Sequence, residues 1–198
     1  MYKVKELAKE ICNKYNVHMS PESLAAFTGI IKPIRLLRFE SPFVRRDVCK
    51  SLYYVKRGLV IQHYEKNGED VVEHISHEGD MVICIESTFT HTPSEIEVTM
   101  LEPGTLVSIP YDEVRQLASV YKEINELVVA ILEFSLILSQ HKADMLRFES
   151  AKQRYLRTLE ENPELIRRTP VHYIASYLQV RPETLSRVRT NVMNSDNK

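Results

Sequence analysis

Apolar positions change their period along this chain, and the changes divide it into parts. Residues 3–16 place Val4, Leu7 and Ile11 on one stripe, the spacing of a short amphipathic helix. From about Ile30 to Pro110 the pattern switches to short runs broken by turn residues. Leu52–Val55 is followed by a turn ending at Gly58 and then by Leu59–Tyr64. Asn67 and Gly68 form a strong hairpin signal because both tolerate positive φ, so Val71–Ile75 is expected to pair back. Glu78-Gly79-Asp80 turns again, and Pro103-Gly104 precedes a last strand at Thr105–Ile109. Short strands at this spacing predict an antiparallel sandwich, barrel or jelly roll.

After Pro110 the pattern is helical. Tyr111–Ala118 fits a short helix. Val120–Phe148 contains no Gly or Pro and would run about 40 Å as one helix. Within it Ile124, Leu127, Ile131, Phe134, Leu138, His141, Met145 and Phe148 alternate steps of three and four, a heptad seam with one polar interruption. Val128, Leu132 and Leu136 fill a neighbouring stripe. Two apolar faces need two partners, so one face is expected on the β domain and the other on a second copy of the chain. Ile124, Leu127, Ile131, Phe134, Leu138 and Met145 are the expected dimer interface. Ser150–Asn162 reads as a further helix stopped by Pro163, and Asn194–Lys198 as a frayed polar tail.

Residues 169–190 (TPVHYIASYLQVRPETLSRVRT) carry the sharpest motif. Thr169 fits an N-cap and Pro170 the first position of a helix. Ile174, Ala175 and Leu178 make one apolar face, and Val180 in the connector can plug the space between two helices. Pro182 opens a second helix whose Leu185 and Val188 face inward. Glu183, Thr184, Ser186, Arg187 and Thr190 are left outward. This is the design of a helix-turn-helix, whose second helix enters the major groove N-terminus first. Glu183, Ser186 and Arg187 can then reach base edges, with Arg suited to guanine and Glu to cytosine. Arg181, Arg189, Thr184 and His172 are better placed for phosphates.

Charge supports the division of labour. The 198-residue chain has a formal net charge of −1, but residues 67–114 hold eleven acids and no Lys or Arg. From Ser150 onward nine cations face five acids, which suits an anionic partner. Cys12, Cys49 and Cys84 are scattered, as expected for reduced thiols in a cytoplasmic protein. No signal peptide and no continuous apolar run of membrane length are visible, so no membrane partner is expected.

The order of β-roll, long helix and helix-turn-helix resembles the CRP/FNR family of transcription regulators. Gly58 in LYYVKRGLV and Gly79 in EGD match glycines of the family's β-roll. PETLSRVR is similar to its recognition helix, with Glu183 and Arg187 at positions resembling the base-reading pair. NPELIRRTPVHYIASYLQVRPETLSRVR looks especially like the family's Bacteroidetes members. The resemblance implies a homodimer on a palindromic operator, an effector pocket in the β-roll and RNA polymerase as a candidate partner. Gly79, Asp80, His91 and Glu86 are the candidate pocket residues. Relatives that bind cyclic AMP hold its phosphate with an Arg followed by Ser or Thr, which is absent here. An anion in the acidic segment would also be opposed electrostatically, so no cyclic AMP binding is expected. The four-cysteine iron–sulfur pattern is missing, and too few residues follow Arg189 for a full β-hairpin wing, so Lys152, Arg154 and Arg168 are further candidates for backbone phosphates. Gln179 stands where many such turns have Gly.

The expected fold class is therefore α+β. It comprises an antiparallel β jelly-roll sensor domain (residues 1–118), a long dimerisation helix (119–149) and a helix-turn-helix domain (150–198) with its wing absent or truncated. No enzymatic activity, cofactor or metal is expected. The alternative is a β-roll module that does not bind DNA, or a cupin-like metal enzyme using His63, His74, His77 or His91. His74 and His77, three apart, would lie on opposite faces of a strand, which argues against shared ligation.

Overall fold

The computed structural model describes residues 3–195. Two helices open it, α1 (Val4–Lys14) and α2 (Pro21–Ile30). The first buries Leu7, Ala8, Ile11 and Cys12. The second was not evident in the periodicity, although Ser20 and Pro21 start it as an N-cap and a first-turn proline. The Ser20 hydroxyl accepts the Ser23 N–H.

The β region contains β1 (Lys32–Leu36), β2 (Ser51–Arg57), β3 (Val60–Lys66), β4 (Glu69–Ser76), β5 (Met81–Val82), β6 (Glu97–Met100) and β7 (Gly104–Pro110), with a short helix α3 (Ile85–Thr90) before β6. They form two antiparallel sheets, ordered β1-β7-β2-β5 and β4-β3-β6. Asn67 (φ 56°) and Gly68 (φ 82°) make the tight turn between β3 and β4 that their sequence predicts.

Strand alternation gives the second sheet two buried faces. Val60, Val98 and Met100 face Tyr53, Val55, Val82 and Leu106 of the first sheet. Leu59, Ile61, Val72 and Ile75 point the other way and are covered by the C-terminal helices. The outer face of the first sheet, with Leu52, Tyr54, Val107 and Ile109, is covered by α1, α2, α4 (Tyr111–Ala118) and the start of α5 (Lys122–Phe148).

The long helix α5 exists as expected, but its predicted seam is corrected. Ile124, Leu127 and Ile131 are at most 2% exposed and sit in the first-sheet core of their own chain. Met145 is buried in the cluster that the second sheet shares with the C-terminal helices, and Phe134 is half-buried edge-on to Tyr15 at 6.0 Å. Periodicity identified the apolar face; the β-roll, rather than a partner, covers most of it. Leu138 is 45% exposed, and the free apolar stripe is Val129, Leu136, Ile137 and Phe148, with Leu136 71% exposed. By length and composition α5 could also cross a bilayer, although no continuous apolar run of that length was read from the sequence. Here one of its faces is committed to the β-roll.

Four helices follow: α6 (Ala151–Glu161), α7 (Pro163–Arg168), α8 (Val171–Tyr177) and α9 (Pro182–Ser195). Ser150 and Gln153 form a capping box on α6. Among the described residues α9 remains helical to its end and no strand follows it. Residues 196–198 of the expected polar tail lie outside the described residues.

Candidate nucleic-acid interface and the cavity behind it

The two-helix unit forms around a small apolar centre. Ile174 and Ala175 of α8, its C-cap Leu178, and Leu185 of α9 are at most 1% exposed, and Val180 and Val188 pack against them. Helix α8 begins one residue later than the sequence suggested. Pro170 occupies the N-cap position with extended ψ (141°), while Thr169 is buried and ends α7. A proline in that place gives no side-chain cap. Gln179 adopts φ 50°, the left-handed conformation for which glycine is better suited, and the Val180 N–H returns to the Ala175 carbonyl at 2.9 Å. The turn is thus made without glycine.

The outward face of α9 presents Glu183, Ser186, Arg187 and Thr190 to solvent, with Thr184 and Arg189 half-buried beside them. Arg181 and His172 are exposed at the rim, and the His172 ring lies 4.0 Å from that of Tyr173. Among the described residues, none of Glu183, Arg181, Arg187 or Arg189 is held in an intramolecular ion pair. Their charges are available to an external partner.

The opposite side of the unit is fastened to the second sheet. Ser176 Oγ accepts the Val72 N–H and donates to the Asp70 carbonyl, both at 2.9 Å. Arg168 forks across two turns, meeting Glu78 at 2.7 and 3.0 Å and Glu102 at 2.6 and 3.1 Å. Hydrogen bonding to Arg168 holds the Glu78 carboxyl down at about 2 despite partial burial. Arg168, a candidate phosphate contact on sequence grounds, is therefore committed to the β-roll. Of the other two candidates from that helical stretch, Lys152 is exposed and Arg154 is half-buried.

Behind α8 lies a cavity of about 330 Å³. It is walled by β4 and the turn after it, by the second half of α5, and by α7 and α8. Of the four expected pocket residues, Asp80 lines it and Gly79 (φ 91°) forms the adjoining turn. Glu86 is exposed in the first turn of α3, and His91 ends that helix with Nε2 3.8 Å from Asp112 Oδ1. Neither lines the cavity.

His74 and His77 both do, contrary to the expectation that they lie on opposite faces. Strand β4 ends at Ser76, so period-two alternation no longer governs His77. The acidic segment does not by itself set the charge of the cavity. The fold brings Lys14 from α1 and Lys142 from α5 to the cavity wall, cations that no reading of residues 67–114 could supply.

Burial, assisted by nearby Lys142, pushes the His74 imidazole down to about 4. Burial likewise lowers the Lys142 ammonium to about 8, opposed by Glu73. For His77 burial disfavours the charge, but a hydrogen bond to Asn162 and the Asp80 carboxylate outweigh it and raise the pKa. His74 has a pH consequence. Between its unfolded value near 6.5 and about 4, only the unfolded chain takes up its proton. Stability contributed by neutral His74 is intact above that window and is lost as the pH falls through it. His74→Leu should flatten the decline in urea midpoint over this window; an unchanged decline would show that His74 is not its source.

Among the described residues no group of three His, Cys, Asp or Glu side chains could hold a metal ion.

No family model and no curated protein matches the chain. Solved structures do. FixK2 from Bradyrhizobium japonicum superposes with a TM-score of 0.71 at 13% identity, over 84% of this chain and 86% of that one. CLP from Xanthomonas campestris, a c-di-GMP-responsive global regulator, gives 0.66 at 19% identity over 89% and 93%. The catabolite activator protein of Thermus thermophilus gives 0.54 at 18% identity over 92% and 88%. The chain has the CRP/FNR fold. That fold accounts for the α+β order of β-roll, long helix and C-terminal helical unit seen here.

Proposed function

We propose that this chain is a transcription regulator that binds duplex DNA as a homodimer, reading each half-site with α9, and that it is not an enzyme. The observation that carries the reading is the arrangement around α9. Glu183, Ser186 and Arg187 are exposed and unengaged on one side, while the other side is anchored to the chain. A rigid backing with free base-reading groups is what major-groove recognition requires. Arg187 takes a guanine edge, Glu183 a cytosine amino group, and Arg181, Arg189, Thr184 and His172 the phosphates. CLP, a global regulator that links cell-cell signalling to virulence gene expression, shares the fold and agrees with this reading.

The sensor-like β-roll corresponds to residues 1–118, the dimer helix to 119–149 and the DNA-binding unit to 150–198. Dimerisation uses the stripe of α5 that the β-roll leaves uncovered, Val129, Leu136 and Ile137, rather than Ile124, Leu127 and Ile131. Two such stripes bury each other in a two-fold pair, and half-sites then fall about 10 bp apart. Leu136→Glu should give a folded monomer in analytical ultracentrifugation, because it places a charge in that pair without touching the core. A stable Leu136→Glu dimer would refute this interface. Cyclic AMP is not the expected effector, since the cations on the cavity wall are ammonium groups and no guanidinium among the described residues lines it. RNA polymerase is a natural further partner for such a regulator in the cytoplasm.

Equilibrium binding to a mixed-sequence duplex across a salt series tests the DNA claim. Affinity should fall steeply and log-linearly with salt as counterions are released. Absence of binding even at low salt would leave the β-roll as a module without DNA.

A further inference from the structure

The cavity of about 330 Å³ behind α8 is within the size range of small-molecule sites. We propose that it binds a small organic carboxylate with an apolar body, as an effector of the regulator argued above and resting on that reading.

The walls supply each part of such a ligand's recognition. Ile75, Ile83, Ile85, Phe134, Leu138 and Leu165 are apolar. Of the charged groups, Asp80 is already engaged. Its Oδ2 accepts the His77 N–H at 2.9 Å and lies 3.5 Å from His77 Nδ1. Lys142 is also engaged, donating to the Glu73 carbonyl with the Glu73 carboxylate at 3.8 Å and the Tyr177 ring at 4.8 Å. Lys14 differs. Its Nζ lies 5.5 Å from the Phe134 ring centroid, and no carboxylate is in ion-pair reach among the described residues. The wall therefore keeps one unmatched ammonium at an exposed position, where a carboxylate gains a charge-assisted hydrogen bond without full desolvation.

Two further groups are unfilled. The His74 ring and the Ser139 hydroxyl line the cavity, and neither makes a hydrogen bond among the described residues. Neutral His74 can both donate and accept, so it suits a hydroxyl, a carbonyl or an enclosed water accompanying the ligand. An ammonium rather than a guanidinium fork favours a single carboxylate over a phosphodiester. Because Leu165 and Tyr177 belong to α7 and α8, which carry α9, and Asn162 caps α7, an occupant touches both the β-roll and the DNA-binding unit. It favours the docked arrangement in proportion to its preference for it.

The test uses the full chain without DNA, titrated calorimetrically with octanoate and hydrocinnamate and followed by thermal unfolding. Either acid should bind saturably and raise Tm. Octanamide, which lacks the charge, should bind at least about tenfold more weakly. Lys14→Met, at an exposed position, should keep the unliganded Tm and lose about tenfold in affinity for the acids. Leu138→Trp should fill the space and abolish binding. The proposal is overturned if neither acid binds, if Lys14→Met and Leu138→Trp both bind them as the parent does, or if cyclic AMP alone shifts Tm. Duplex affinity is measured separately. Carboxylate binding without DNA binding would sink the regulator reading and leave the site; DNA binding without carboxylate binding would sink the site alone.

Discussion

Arg187→Ala should cost about 1–3 kcal/mol of binding free energy on the preferred operator, roughly ten- to a hundredfold in affinity. Arg187 is exposed on the outward face of α9, one turn after Glu183 near the helix start, and no acid among the described residues pairs with it. Its removal therefore leaves the fold intact and deletes only what it does for a partner. A guanidinium bidentate to a guanine edge discriminates between bases, so the loss should be concentrated at one position of each half-site. On scrambled duplex the same variant should lose far less. Equal losses on both would assign Arg187 to a phosphate instead. Competition binding at constant salt with single-base operator variants makes the distinction.

Gly104→Ala should destabilise the β-roll by about 3 kcal/mol, read as a drop in urea midpoint at unchanged slope. A Cβ at Gly104 would lie 2.1 Å from the Arg57 carbonyl oxygen and 2.5 Å from Met100 Cε. Methionine can swing away; the backbone oxygen at the end of β2 cannot without disturbing the β2–β7 pairing, which already shifts register between Val55 and Arg57. Gly29, in α2, has nothing within 4 Å of a Cβ. Gly29→Ala should be neutral or stabilising by up to about 1 kcal/mol, as for helical glycines in general, and it separates crowding from any generic effect of the substitution. A Gly104→Ala midpoint equal to the parent's would mean that β2 and β7 approach less closely than described.

What the sequence disclosed was mostly local. The helix-turn-helix was legible because Pro182, the Ile174/Ala175/Leu178 face and the Leu185/Val188 pair are encoded within about twenty residues. Asn67 and Gly68 announced their hairpin for the same reason. Helix α2 escaped because it buries chiefly Ser23 and Phe27, too few apolar positions to set a helical period. Helix α3 escaped because Cys84 gives it no side-chain cap and it is six residues long.

The larger miss was one of partner rather than pattern. The steps of three and four in α5 located its apolar face, but periodicity cannot say what surface covers that face. The β-roll covers Ile124, Leu127 and Ile131, and only the exposed stripe is left for a second copy. The cavity was illegible for a related reason. Lys14, His74, Lys142 and Tyr177 come from four elements spread over most of the chain, and only folding sums their charges. Likewise the docking of α8 on β4 rests on Ser176 meeting Val72, and Arg168 meeting Glu78 and Glu102, separations that no motif records.

The central claim is that α9 reads duplex DNA from a two-fold pair. Selection of bound sequences from a fully randomised duplex pool, run in parallel on the parent and Arg187→Ala proteins, tests it most directly. The account predicts that the parent enriches an inverted repeat with half-sites about one helical turn apart, and that Arg187→Ala loses a guanine in each half. A parent that enriches no sequence over the input pool would contradict it.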